Sequence, residues 1–123
     1  MSPTRVLIVD DQPVFRQVAR DLLEIRGYSV VAEAEGLATA LEALRRAVPD
    51  AVLLDVCLGE ESGFDVARAL TGALPGLPVL LVSADAHYEC AERVRECGAR
   101  GFVLKTHLVR TDLDMFWRQA GGA

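Results

Sequence analysis

The sequence predicts a doubly wound α/β domain in which a five-stranded parallel sheet is covered by five helices. Short β-branched and aliphatic runs alternate along the chain with longer stretches of helical periodicity, which is the pattern of such a fold. The runs are apolar throughout, as strands buried between two helical layers must be. With 123 residues, 51% of them hydrophobic, the chain is long enough for one domain with its own core.

The first strand is predicted at residues 5–9 and ends at the acidic pair Asp10-Asp11. A helix follows, because Pro13 suits a first helical turn and Gly27 suits a helix end. Its apolar side, assigned from helical spacing, consists of Val14, Val18, Leu22 and Ile25.

The second strand is predicted at residues 29–33, at an edge of the sheet. The second helix ends before Pro49, and its apolar stripe consists of Leu37, Leu41, Leu44 and Val48. The third strand covers residues 51–54 and leads directly into Asp55.

A loop through Gly59 and Gly63 leads to a short helix at about residues 64–70. The fourth strand, residues 77–82, ends at Ser83, and the fourth helix covers about residues 86–97. The remaining elements are a fifth strand at residues 101–104 that ends at Lys105, and a final helix that carries Leu113, Phe116 and Trp117.

Five strands alternating with five helices form a flavodoxin-like layout. The domain is assigned to residues 1–120, and residues 121–123 to a terminal tail or the start of a linker.

Composition excludes several classes of function. A net charge of -5 argues against direct nucleic acid binding by this domain, which calls for an excess of Lys and Arg. The apolar runs are too short to span a membrane, and no secretion signal opens the chain. Three cysteines without paired-ligand spacing predict neither a disulfide framework nor a zinc site, so a reducing cytoplasm is expected.

Polar side chains stand at the carboxyl ends of four predicted strands. They are Asp10 and Asp11 after the first, Asp55 after the third, Ser83 after the fourth and Lys105 after the fifth. In doubly wound sheets, ligands bind outside these strand ends. The sequence therefore predicts one pocket with three carboxylates, a hydroxyl and an ammonium.

The chemistry of this pocket points to phosphoryl transfer. Clustered carboxylates need a cation among them, and oxygen ligands favour a hard metal such as Mg²⁺. An ionised Asp55 is a competent nucleophile toward phosphorus. Lys105 and the metal supply positive charge, and Ser83 can donate a hydrogen bond to a phosphoryl oxygen.

Four segments, in this order, resemble the receiver domain of two-component response regulators, and the resemblance covers essentially the whole chain. They are Val-Asp-Asp at residues 9–11, the loop from Leu53 to Gly63, Val-Ser-Ala at residues 82–84, and Gly-Ala-Arg-Gly-Phe-Val-Leu-Lys at residues 98–105. The fold implied is the CheY-like receiver.

The resemblance implies a role for each matching residue. Asp55 is the phosphoacceptor, and Mg²⁺ or Mn²⁺ is held by Asp55, Asp10, Asp11 and the backbone carbonyl of Cys57. Ser83 is the switch hydroxyl, and Lys105 clamps the phosphoryl group. Phe102 is the switch aromatic, although an aromatic residue in a strand is ordinarily a core residue.

The resemblance also implies partners. The phosphoryl group comes from a histidine kinase or histidine phosphotransfer protein, and the switched surface comprises the fourth helix, fifth strand and fifth helix. Residues 98–105 are most similar to receivers joined to a C-terminal helix-turn-helix domain. Two interpretations follow: a regulator of transcription that contacts DNA only through a domain outside this chain, or a receiver that acts alone. The acidic composition and the helical surface are compatible with either a monomer or a homodimer.

Two positions depart from the family pattern. Gly59 stands where proline is usual, which predicts a more flexible loop. Thr106 stands where a cis-proline often follows the lysine, and a cis bond is not expected here.

Simpler interpretations exist for the same residues. Asp10-Asp11 can be a helix N-cap with a surface acid, Ser83 can cap the fourth helix, and Lys105 can be a solvated charge. Cys90 and Cys97 are assigned to the apolar side of the fourth helix. Two alternative functions are a small Mg²⁺-dependent phosphohydrolase with an aspartate nucleophile and a phosphorylation-independent interaction module. In the hydrolase, a second aspartate is expected two residues after the nucleophile, where Cys57 stands.

Overall fold

The computed structural model describes residues 3–118 and confirms the doubly wound fold. In chain order the strands are β1 (Arg5–Val9), β2 (Ser29–Ala34), β3 (Ala51–Asp55), β4 (Cys57–Leu58), β5 (Glu61–Ser62), β6 (Val79–Ser83) and β7 (Gly101–Leu104). Five of them form a parallel sheet in the order β2-β1-β3-β6-β7. The other two, β4 and β5, pair as a short antiparallel ribbon in the loop after β3.

Five α-helices connect the strands within the described residues. They are α1 (Pro13–Ile25), α2 (Leu37–Arg46), α3 (Gly63–Ala73), α4 (Ala91–Glu96) and α5 (Asp114–Trp117). Two 3₁₀ helices, Ala86–Tyr88 and Lys105–Arg110, precede α4 and α5. The predicted alternation of strands and helices is therefore confirmed.

The core lies on both faces of the sheet, because successive strand residues point to opposite sides. On β1, Leu7 and Val9 join the cluster beneath α2, α3 and α4. Val6 and Ile8 join the cluster beneath α1 and α5. Both sets are fully buried, which explains why the strands are apolar throughout.

The buried face of α1 is shifted from the predicted one, although Leu22 of the predicted stripe is partly buried against the core. Val14 and Ile25 are 78% and 85% exposed, and Val18 is also exposed. The buried residues are Ala19 and Leu23, one position further along the helix. Since a single residue rotates a helix by about 100°, the same periodicity fits either stripe.

The fourth helix is shorter than predicted. The segment expected as one helix over residues 86–97 is a 3₁₀ turn, an extended stretch at Glu89 and Cys90, and then α4. Cys97 is buried as predicted, but Cys90 is exposed because it precedes α4 in extended backbone. Leu113 lies before α5, and Trp117 is buried within it.

The domain boundary expected at residue 120 and the tail at residues 121–123 lie outside the described residues. Among residues 3–118, none of the helices has the length and hydropathy needed to cross a bilayer.

Gly63, at the start of α3, packs directly on the backbone of the loop after β3. A Cβ at this position would lie 2.2 Å from the carbonyl oxygen of Asp55 and 2.6 Å from Cα of Val56. Both neighbours are backbone atoms and cannot rotate away. We therefore expect Gly63→Ala to lower the free energy of unfolding by about 2–3 kcal/mol, measured by urea denaturation.

Gly72, in the same helix, provides the matched control. A Cβ there would meet no atom within 4 Å, so Gly72→Ala is expected to raise stability by about 0.5 kcal/mol through helix propensity. Equal effects of the two substitutions would contradict the packing account of Gly63.

Candidate functional site at the carboxyl ends of the strands

The strand order reverses between β1 and β3, and the predicted site lies at this point. The chain passes from β1 to β2 on one side and then returns to β3 on the other. Asp10 directly follows β1, and Asp55 is the last residue of β3. Both are buried, and adjacent parallel strands bring them to the same edge of the sheet.

Three carboxylates converge there. Asp10, Asp11 and Asp55 each offer one oxygen within 4.8 Å of the others, and Asp11 is the exposed member. Nζ of Lys105 lies 2.8 Å from Oδ2 of Asp10 and 3.1 Å from Oδ2 of Asp55. The structure thus brings together four of the residues predicted from sequence.

The two oxygens of Asp10 have different surroundings. Oδ1 accepts a hydrogen bond from the backbone amide of Gln12 at 2.8 Å. Oδ2 is buried without a well-directed hydrogen bond from any described residue, and its contact with Lys105 is a close approach of charges. A buried carboxylate oxygen with spare acceptor capacity, beside two more carboxylates, fits the oxygen ligand set of Mg²⁺.

Burial and charge shift the ionisation of Asp55 and Lys105. Burial raises the pKa of Asp55 from its ordinary value of 3.8 to about 6, and the charge of Asp10 adds to this, whereas the Cys57 amide and Lys105 oppose it. Burial alone would lower the pKa of Lys105, but the carboxylates of Asp10 and Asp55 outweigh it and leave this pKa raised. Lys105 is therefore a stable cation beside the carboxylates.

The β4–β5 ribbon borders the site and explains the glycine at position 59. Gly59 and Glu60 form the two-residue turn between β4 and β5, and Gly59 has a φ of +65°. Proline, whose φ is fixed near −65°, cannot adopt this conformation. A turn with glycine first and a second residue of negative φ is of the II′ kind that closes hairpins, so the glycine belongs to a defined turn.

The ribbon is held at both ends. The backbone amide of Cys57 donates to Oδ1 of Asp55 at 3.1 Å, which fixes the start of β4 relative to the carboxylate. Oε1 of Glu61 accepts from the amide of Leu37 at 3.0 Å, at the N-terminus of α2. Gly36 permits this approach, since a Cβ there would lie 2.5 Å from the same oxygen.

Ser83 lies at the same edge but does not hydrogen-bond to the carboxylates. It is buried at the end of β6. Its hydroxyl donates to the carbonyl of Asp85 at 3.1 Å and accepts from the amide of Asp85 at 3.0 Å. The simpler interpretation of Ser83 as a helix cap is wrong, because the side chain that caps the 3₁₀ turn is that of Asp85, which accepts from the amide of His87.

Phe102, on the last strand of the sheet, precedes Lys105, and Thr106 follows Lys105 in the next 3₁₀ helix. Phe102 lies on β7, partly buried against the core beneath α3 and α4, and it also lines an open groove. A 3₁₀ helix begins at Lys105, and the described residues contain no cis peptide bond, as expected for Thr106.

Sequence analysis missed two residues that contact the site, both on α1. The ring of Phe15 lies under Nζ of Lys105, 4.0 Å from ammonium to centroid. Arg16 donates to the backbone carbonyl of Asp10 at 2.6 Å and pairs with Glu33. In the sequence, these two residues are marked only by their position in the first turns of a helix that follows an acidic pair. That position alone does not predict their contacts with Lys105 and Asp10.

Solved structures of CheY-like receivers share this fold. The sequence matches the family model of the response regulator receiver domain over residues 6–113. The chain therefore belongs to the receiver domains of two-component response regulators.

Similar proteins span signalling and transcriptional regulators. The chain is 43% identical over 83 residues to the probable transcriptional regulatory protein TcrX of Mycobacterium tuberculosis, covering 68% of this chain but only 35% of TcrX. It is 35% identical over 105 residues to the polar-differentiation response regulator DivK of Brucella anthropi, covering 84% of this chain and 85% of DivK.

One solved structure adds a chemically modified site. It is that of a Burkholderia pseudomallei response regulator with a phosphorylated aspartic acid, calcium ion and citrate. The similarity covers 94% of this chain and 67% of that one, with 25% identity and a TM-score of 0.82.

The raised pKa of Asp55 generates a test in the metal-free protein. Because the folded-state pKa exceeds the unfolded one, the folded protein holds this proton more tightly. Ionisation of Asp55 therefore lowers the free energy of unfolding as the pH rises from about 4 to about 6. We expect Asp55→Asn to flatten this part of the pH profile and to raise the free energy of unfolding at neutral pH, measured by urea denaturation in EDTA.

Glu60→Gln is the control, since it removes an exposed carboxylate from the same loop and should leave the profile of the wild type. An Asp55→Asn protein that is less stable at neutral pH, with an unchanged slope, would show that the pair with Lys105 outweighs burial.

Proposed function

We propose that Asp55 accepts a phosphoryl group from a phosphohistidine on a histidine kinase or a histidine phosphotransfer protein. The observation that carries this proposal is the cluster itself. The buried carboxylate of Asp55, at the edge where the strand order reverses, lies 3.1 Å from the ammonium of Lys105 and within 4.8 Å of two further carboxylates. Membership of the receiver family supports the same conclusion.

Each group has a part in the transfer. A carboxylate oxygen of Asp55 attacks phosphorus, the O–P bond forms as the P–N bond of the phosphohistidine breaks, and the imidazole leaves with the electron pair. The ammonium of Lys105 contacts Asp55 before the reaction and can shift to a phosphoryl oxygen afterwards. Hydrolysis of the resulting acyl phosphate resets the domain.

Asp10, Asp11, Asp55 and the backbone carbonyl of Cys57 are proposed to hold a divalent cation, Mg²⁺ or Mn²⁺. When bound, such a cation neutralises charge on the phosphoryl oxygens. Support comes from the spare acceptor capacity of Asp10 and from the calcium ion and phosphorylated aspartate of the Burkholderia relative.

Signal output is proposed to pass through Ser83 and Phe102. In the structure the Ser83 hydroxyl is turned to its own loop, so a phosphoryl group on Asp55 would compete for it. Phe102 is partly buried beside an open groove and could turn inward as the loop moves. A protein that prefers one of the two arrangements then reads the signal.

The proposed output is signalling, and any regulation of transcription would occur through a further domain. The similarity to TcrX, a longer protein of which this chain spans about a third, supports a receiver joined to such a domain. The similarity to most of DivK supports a receiver that acts alone.

The first test is intact-mass spectrometry after incubation with acetyl phosphate and Mg²⁺. The wild-type protein should gain one phosphoryl group, whereas Asp55→Asn and an EDTA control should gain none, because the nucleophile or the cation is removed. A folded, Mg²⁺-binding wild type that gains nothing would favour a phosphorylation-independent module. Release of many equivalents of phosphate per protein would favour the hydrolase.

The metal site is tested by Mg²⁺ titration of Asp11→Asn in a calorimeter. Asp11 is exposed, so its loss should leave the fold intact while the affinity for Mg²⁺ falls by about tenfold or more, a change of about 1.4 kcal/mol. Glu60→Gln, which removes one negative charge from the neighbouring turn, should bind Mg²⁺ almost as the wild type does. Equal losses in the two variants would indicate general attraction by negative charge and contradict a ligand role for Asp11.

A further inference from the structure

Phe15 places an aromatic ring against the ammonium of Lys105. It lies in the first turn of α1, partly buried against the core beneath that helix. The Lys105 Nζ atom lies 4.0 Å from the ring centroid. A cation this close to a ring face is attracted by the ring's quadrupole, and more strongly where water is excluded.

The ring completes the surroundings of the ammonium. A lysine ammonium has three N–H donors, and two carboxylate oxygens lie within 2.8 and 3.1 Å of it. The Lys105 side chain is only 13% exposed, so little water can replace a lost protein contact. The two carboxylates and the ring face therefore account for the environment of this charge.

The geometry points to Phe15 as a positioning residue for phosphoryl transfer, acting through Lys105. A flexible four-carbon side chain loses considerable rotamer entropy when its end is fixed, and the ring offsets part of this cost. The ring attracts the ammonium through its whole face and not through one directed hydrogen bond. The ammonium can therefore exchange a carboxylate oxygen for a phosphoryl oxygen while it stays over the ring. This inference rests on the proposed role of Lys105 at Asp55.

Phe15 could instead act only by packing in the core. The NMR signal of Lys105 separates this role from the positioning role. Lys105 is the only lysine among the 123 residues, so lysine-selective ¹³C labelling gives a single side-chain signal. A ring face above the ammonium shifts the ε-CH₂ protons of Lys105 upfield. The wild type and Phe15→Tyr should show this shift, and Phe15→Leu should lose it.

The kinetic test measures phosphorylation of Asp55 by acetyl phosphate at saturating Mg²⁺. We expect Phe15→Leu to lower the maximal rate by about fivefold, with the half-saturating Mg²⁺ concentration unchanged, and Phe15→Tyr to restore most of the rate. Tyr28→Leu is the matched control: Tyr28 is partly buried against the same core, but its ring packs edge-on against Trp117, with 5.3 Å between the ring centroids. It should leave the Lys105 signal and the rate as in the wild type.

Several outcomes would overturn the inference. No upfield shift in the wild type would mean that the ring does not hold the ammonium, and this measurement needs no variant. A shift that is lost in Phe15→Leu without any change of rate would show a contact that does not assist transfer. A wild type that shows the shift but is not phosphorylated would instead refute the proposed function.

Discussion

The structure depends on two carboxylates that are buried at the ends of adjacent strands. Burying one ionised carboxylate is costly, and burying a second beside it adds repulsion. The protein offsets this with the ammonium of Lys105, which contacts both Asp10 and Asp55. The compensation is incomplete, since the pKa of Asp55 remains raised. A largely buried site with residual negative charge is predisposed to take up a cation.

The backbone of the surrounding elements also helps to hold this cluster. Amides of the two following segments donate to Asp10 and Asp55. Gly63 lets the start of α3 lie against the backbone of Asp55, and Glu61 ties the ribbon to α2. Asp10 and Asp55 are thus held in place, whereas the neighbouring Asp11 is exposed and can approach a ligand.

The features set by local pattern could be predicted from the sequence, and those set by distant contacts could not. Strand ends at Asp10 and Asp55 follow from apolar runs that stop at acids. The face of α1 could not be assigned, because Val14 and Ala19 each belong to a helically spaced set of small or apolar residues. The break at Cys90 contains neither proline nor glycine, so no local signal marks it.

The contact of Phe15 with Lys105 joins residues 90 positions apart in sequence, and only the folded sheet brings them together. The groups at the site were therefore predictable, but the contacts that orient them were not.

Trp117 gives the domain a built-in optical reporter. It is the sole tryptophan of the sequence, is buried, and donates its indole N–H to the carbonyl of Val52 at 3.2 Å. Val52 lies on β3, three residues before Asp55. Small movements of this strand would change the polarity around the indole, so its fluorescence could follow events at the far end of β3 without any attached dye.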